Sequence, residues 1–420
     1  MVEKFRNPLR AAYSGYIYQD LLIAYIFTKG LIHRYSSITV DRKQVEDDRI
    51  DDVEIVYAGK RVKRQIKSSE DEERYISVKD FTDKESSLRI DRLVKTYVQA
   101  GDSAADEYRL CTTWKISLSN DNFSEFVEPI QLEPTVTGSQ SQTFRLLTEK
   151  IWPLKERPMW KYLENEVTRD QFLLFCERFA IEVNLPPASR TLHSPGILEG
   201  FLVDMMSKNV GIGKYPNQGR QAVDVAALLL SQATSARAEG ETLTPQDIET
   251  RLNLRTDYGR IAQAFPLDES VFQNRKDLRP ILSENALKGM HQILIGMPGA
   301  GKSWELTKLA NELENSGVLV ARHYCYLEPG DDLVERRITS EVLFGNLMAD
   351  LADAEPSIAD SPLRRYSAGA EEFQAFLVKI SEMHRKAVVI VDGLDHIARV
   401  LKQANSLTSE ETDIIGELAT

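Results

Sequence analysis

Gln292-Ile293-Leu294-Ile295-Gly296-Met297-Pro298-Gly299-Ala300-Gly301-Lys302-Ser303 is the stretch on which the reading of the fold turns. A short apolar run, predicted as a strand over Gln292 to Ile295, enters a glycine-rich loop. A helical pattern from Ser303 to Leu313 leaves it. Gly296 to Ser303 has the spacing G-x-x-x-x-G-K-S, and phosphate binding explains each fixed position. Gly296, Gly299 and Gly301, with Pro298 and Ala300 in the same loop, let backbone N–H groups turn inward around a phosphate. Lys302 brings positive charge to the β- and γ-phosphates, and the Ser303 hydroxyl suits a magnesium ion. The helix that follows directs its positive end at the same anion. A nucleoside triphosphate with Mg2+ is the expected ligand, ATP first.

Working outward, Val318 to Cys325 and Val388 to Val391 read as further strands. Arg336 to Leu351 and Glu371 to Arg385 read as helices. Strands alternating with helices predict a parallel sheet covered on both faces. Val388-Val389-Ile390-Val391-Asp392 is an apolar strand ending in an acid, the way a Walker B aspartate is presented to magnesium through water. Asp395 on the next loop is placed to orient an attacking water. His323, within the second strand, reads as structural.

The segment Asp392-Gly393-Leu394-Asp395-His396 resembles the extended Walker B region of the STAND NTPases, the NACHT-like signalling ATPases, over roughly residues 275 to 420. Such modules carry further strands, a winged-helix region and a sensor after this point. Only 28 residues follow Asp392. The resemblance therefore implies an incomplete module: a truncated product or partial gene first, or a module that another chain completes.

The other end carries a second pattern. A helix is predicted from Pro8 to Gly30, then strands at Ile50 to Tyr57, Arg61 to Lys67 and Tyr108 to Leu118. Gly59 between the first two strands predicts a hairpin. Folding it there brings Asp52 beside residues 65 to 67. Alternation puts Gln65 and Lys67 on one face, Val62 and Ile66 on the other. An acid, an amide and a lysine on one spot suit metal-assisted phosphodiester cleavage. Asp52 would hold Mg2+, Gln65 would complete its shell through the amide oxygen, and Lys67 would position water or meet charge building on the phosphate. Arg61 and Lys63 share that face and are expected to meet a nucleic-acid backbone. Glu46, Asp47 and Asp48 read as a solvated turn.

This pattern resembles the PD-(D/E)XK nucleases, in the Mrr-like branch with Q-x-K, over roughly residues 8 to 150. Within that group it most resembles the double-strand DNA nuclease domains at the N-terminus of antiviral STAND and CBASS effectors. Tyr16-Ile17-Tyr18-Gln19 on the first helix matches the same group. The resemblance implies that Gln19 approaches the metal site and that Asp52, rather than Asp51, is the metal-binding acid.

Composition sets the frame. A chain of 420 residues is long enough for two to three domains. The expected division is a nuclease-like α/β domain over 1–150, a helical region over 151–265 that extends this domain or links it onward, a linker over 266–285 and the P-loop domain over 286–420. Thr168 with Gln171, and Thr244-Pro245 with Asp247, mark helix starts in the middle region. The net charge of −12 argues against a surface coated for nucleic acid and leaves room for a local basic patch. Three scattered cysteines give no disulfide framework and no metal spacing, so a cytoplasmic setting is expected. The longest early apolar run, Leu21 to Phe27, is too short to span a bilayer.

Together the two resemblances imply an NTP-gated antiviral effector that cuts double-stranded DNA. ATP binding would assemble a homo-oligomer once a trigger, such as a phage-derived protein, is sensed. Two alternatives stand beside it. One is an ATP-binding scaffold with an inactive nuclease-like domain. The other is an NTP-dependent restriction or repair enzyme.

Overall fold

Ala58 and Gly59 both take left-handed backbone, with φ of +48° and +76°, so the chain reverses in two residues as tight hairpins do. The computed structural model describes residues 8–403 except 70, 72, 118–121, 153–159, 164–166, 190–196, 266, 269, 271, 274, 276, 329 and 360–365. The described chain divides into two units: residues 1–208 with 221–253, and 209–220 with 254–420.

In the first unit the hairpin joins β2 (Val53–Tyr57) to β3 (Lys60–Lys67), and β1 (Ser37–Val40) flanks it. The sheet continues through β4 (Glu107–Thr112), β5 (Val127–Ile130), β6 (Gln142–Leu146), β7 (Phe179–Val183) and β8 (Thr242–Leu243). Its order is β5-β6-β7-β4-β3-β2-β1-β8. β3, β4 and β7 run parallel at the centre, and the outer pairings are antiparallel. Of the two expectations for 151–265, extension of the first domain is the one that fits, because β7 and β8 are threaded into the same sheet. The middle region is not only helical.

Alternation along β4 sends Tyr108 and Leu110 into a large apolar core with α2 (Ile90–Ala100) and α3 (Arg169–Arg178). Cys111 and Glu182 lie on the other face, within the field of Tyr18 on α1 (Pro8–His33). Leu21 to Phe27 of α1 are all buried, so this stretch of the helix is apolar all round because it is enclosed all round. Each such side chain contributes about 1.5–3 kcal/mol of burial. α1 packs on α4 (Leu198–Met205), α5 (Ala222–Glu239) and α6 (Pro245–Leu252). It does not stop at Gly30. A Cβ there would lie 2.7 Å from Ile38 Cδ1, so the glycine serves close approach of helix and strand. Among the described residues no helix is long and apolar enough to cross a membrane.

The second unit holds β9 (Leu319–Tyr324) and β10 (Ala387–Asp392), paired parallel. α7 (Leu278–Leu287) and α8 (Lys302–Asn315) share one apolar cluster with Val320 and Ile390. α9 (Ser340–Ala354) and α10 (Ala370–Glu382) share another with Leu319 and Ala321. The two clusters follow the alternation of β9, giving helices on both faces. Two expectations need correction. Gln292 to Ile295 forms no strand: among the described residues β10 pairs only with β9, and Ile293 and Ile295 are 89% and 87% exposed. An extended apolar run becomes a strand only where a neighbour supplies backbone partners. The expected linker at 266–285 instead contains most of α7, which packs on α8.

Candidate functional sites

The hairpin register pairs Val53 with Arg64, which sets Asp52 one step beyond, opposite Gln65. Asp52 Oδ2 accepts from Gln65 Nε2 at 2.7 Å and from the Ile66 backbone N–H at 2.5 Å. Gln19, on α1, donates its amide to the same oxygen at 3.2 Å and to the Ile66 carbonyl at 3.3 Å. Three segments distant in sequence thus meet on one carboxylate. Loss of hydration pushes the Asp52 carboxyl up to about 7, against the opposing pull of the Lys67 ammonium and the Ile66 N–H. Burial also raises neighbouring Asp51, aided by Asp48 and Asp41 and countered by Lys43.

A cation fits this cluster on one particular observation. Gln65 Oε1 is buried and receives no hydrogen bond among the described residues. A buried amide oxygen without a donor costs about 1–3 kcal/mol, and a hard cation held also by Asp52 would satisfy it. Magnesium commonly uses one or two carboxylates and fills the rest of its shell with water and substrate oxygens. Among the described residues no group of three His, Cys, Asp or Glu side chains is set to hold a metal, so amide and substrate oxygens would supply the remaining ligands.

Two expectations around this site fail. Lys63 does not face a nucleic acid: it is buried and paired with Asp48, itself buried. Asp48 is accordingly no solvated acid. It also accepts from the backbone N–H groups of Gln44 and Ile50 and pins the loop before Asp52. Sequence could not give this, because a lysine and an acid 15 residues apart look alike whether solvated or paired. Arg61, which remains part-exposed, reaches Glu54 and the Ser103 carbonyl.

In the second unit Gly299 and Gly301 hold left-handed backbone, with φ of +76° and +81°, and Lys302 opens α8. The Lys302 ammonium donates to the carbonyls of Gly296 at 2.8 Å and Met297 at 3.2 Å. It thus rests on the loop whose phosphate it would otherwise meet. Asp392 ends β10 and is buried. Its register partner Tyr324 bonds Thr307, one turn beyond Ser303, at 2.7 Å. The magnesium ligands expected at Ser303 and Asp392 therefore stand on adjoining elements. Asp395, expected on a loop, instead lies in the first turn of α11 (Leu394–Gln403) and pairs with Arg399. His396 stacks on Tyr326, ring centroids 4.2 Å apart.

The sequence reading missed the segment before the loop. Phe272 stacks near Trp304, centroids 6.1 Å apart. Arg275 donates to the Ala300 carbonyl at 2.5 Å and, through its backbone N–H, to Glu305 at 3.1 Å. Arg279 binds Glu305 and Glu312. The one signal was the aromatic-basic run Phe272 to Arg279, read as linker. His323 is buried, bonded to the Arg337 carbonyl at 2.7 Å and to Asn346 at 3.0 Å.

The chain matches no protein-family model, and no curated protein matches it significantly.

Proposed function

We propose that the chain is an NTP-gated, metal-dependent DNA endonuclease, an antiviral effector of the STAND type acting in the cytoplasm. The observation that carries this reading is the convergence of Gln19, Gln65 and the Ile66 N–H on Asp52, beside Lys67 and an amide oxygen lacking a donor. When bound, Mg2+ would polarise the scissile phosphate and lower the pKa of water. Asp52 and Gln65 would hold the ion. Gln19 would fix the Asp52 carboxylate. Lys67 would stabilise charge on the phosphate oxygens. The loop from Gly296 to Ser303 would bind ATP, with Lys302 turning from its own loop carbonyls to the phosphates and Asp392 assisting at the metal. ATP binding would favour assembly into homo-oligomers, answering a trigger such as a phage-derived protein.

The full chain tests it: cleavage of linear double-stranded DNA with Mg2+, with and without ATP, against Asp52→Ala and Lys67→Ala. Loss of cutting in both variants by at least a hundredfold is expected. Equal cutting by wild type and variants would sink the site. No cutting under any condition, with ATP still bound, would move the weight to the scaffold reading. ATP hydrolysis stimulated by DNA would move it to a restriction or repair enzyme.

A further inference from the structure

We propose that Tyr13 and Tyr16 on α1 form a stacking ridge for an unpaired DNA base beside the Asp52 site, so that the favoured substrate is DNA with an unstacked base next to the cut. This rests on the nuclease reading and adds the substrate class to it. Tyr13 is 66% and Tyr16 51% exposed, on the helix that buries every side chain from Leu21 to Phe27. Spacing of three residues puts the two rings on neighbouring positions, and the same step from Tyr16 reaches Gln19. Gln19 touches Asp52. The ridge thus begins one helical turn from the candidate cleavage site.

The ridge is also held in place. The Arg237 guanidinium of α5 lies 4.8 Å from the Tyr16 ring centroid. Asp20, next to Gln19, fixes that guanidinium through two bonds of 2.6 and 3.1 Å and accepts from Thr234 at 3.0 Å. A ring braced on one side by a fixed cation loses less freedom when a base covers it. Asp41 acts on both Arg237 and Asp52, which places all three in one electrostatic neighbourhood.

The occupant follows from chemistry. A protein partner would call for a contiguous apolar patch, whereas the Arg237 guanidinium and its Asp20 partner adjoin the Tyr16 ring. A nucleobase offers a flat π face, which matches an exposed ring braced on one side by a guanidinium that Asp20 holds in place. In a fully paired duplex that face is hidden in the stack, so the ring reaches only a frayed, flipped or single-stranded base.

The test uses the full chain with ATP, Mg2+ and two DNAs of one sequence, one fully paired and one forked, with 2-aminopurine at the fork. Wild type is expected to cut the forked DNA about tenfold faster, within the range for one stacked base. Tyr13→Ala with Tyr16→Ala should collapse that ratio toward one, and Tyr16→Phe should keep it. Quenching of 2-aminopurine, read in the Asp52→Asn background, should vanish with Tyr16→Ala and persist with Tyr16→Phe. Equal cutting of both DNAs by wild type, or a ratio that survives the double alanine variant, overturns the ridge. If wild type cuts neither DNA, the nuclease reading fails, and binding alone decides the ridge. Forked DNA held no tighter than paired DNA by the Asp52→Asn chain then overturns it.

Discussion

Burial pushes the Asp52 carboxyl up to about 7 in the folded chain, from an ordinary carboxylate value of 3.8. Between those two values the unfolded chain releases a proton that the folded chain keeps. Stability contributed by this group is therefore complete below about pH 4, is lost as pH rises to about 7, and stays lost above. The scale is about 1.4 kcal/mol per pK unit. Asp52→Asn removes the penalty and retains an oxygen for the Ile66 N–H. In a chelator at pH 8 the variant should unfold at higher temperature than wild type, while at pH 4 the two should coincide. Lower stability of the variant at pH 8 would contradict the cause given for the shift. His323 runs the opposite way. Burial pulls its pKa down to about 4 from 6.5, so its contribution is full above pH 6.5 and disappears as pH falls to about 4. A urea titration of the second unit should show that loss, up to about 3 kcal/mol. His323→Gln should flatten the slope even if its midpoint is lower throughout.

At the scale of elements, Gly345 lies inside α9, where alanine ordinarily stabilises by roughly 0.5–1 kcal/mol. Here a Cβ would lie 2.3 Å from the Tyr258 carbonyl oxygen, backbone that has no rotamer to yield. Gly345→Ala is expected to lower the unfolding free energy of the second unit by about 1–3 kcal/mol, measured by denaturant titration. A gain in stability would show that the approach relaxes freely. Such a contact could not be read from sequence, since Tyr258 is far along the chain and nothing local marks the meeting. What was legible has a local cause. Ala58-Gly59 between two alternating runs announces the hairpin, and the hairpin alone brings Asp52 to Gln65. Thr168 and Thr244 announce their helices through capping boxes formed within four residues. Illegible parts depend on distant partners. Phe179 to Val183 joins the sheet only because β4 and β6 flank it. Ile293 and Ile295 have the letters of a strand and lack the neighbour.

At the scale of the molecule, the chain passes between its two units three times, after residues 208, 220 and 253. The segment 209–220 is therefore part of the second unit although its sequence neighbours on both sides belong to the first. Asn217 secures it there. Its side chain is buried, donates to the carbonyls of Arg255 at 3.1 Å and Tyr366 at 2.9 Å, and accepts from the Arg255 N–H at 3.1 Å. One side chain thus satisfies three backbone groups on two other segments. Asn217→Ala would leave those groups without their partner, at about 1–3 kcal/mol for each one that stays buried and unpaired. Differential scanning calorimetry of the full chain can assign the loss to a unit. ATP with Mg2+ at a hundredfold over its dissociation constant should raise the second unit by about 2.7 kcal/mol and identify its transition. Asn217→Ala should then lower that transition, and the transition raised by Asp52→Asn at pH 8 should keep its place. A variant that lowers both together would mean that the segment stabilises the first unit as well, and that the two cores unfold as one cooperative body.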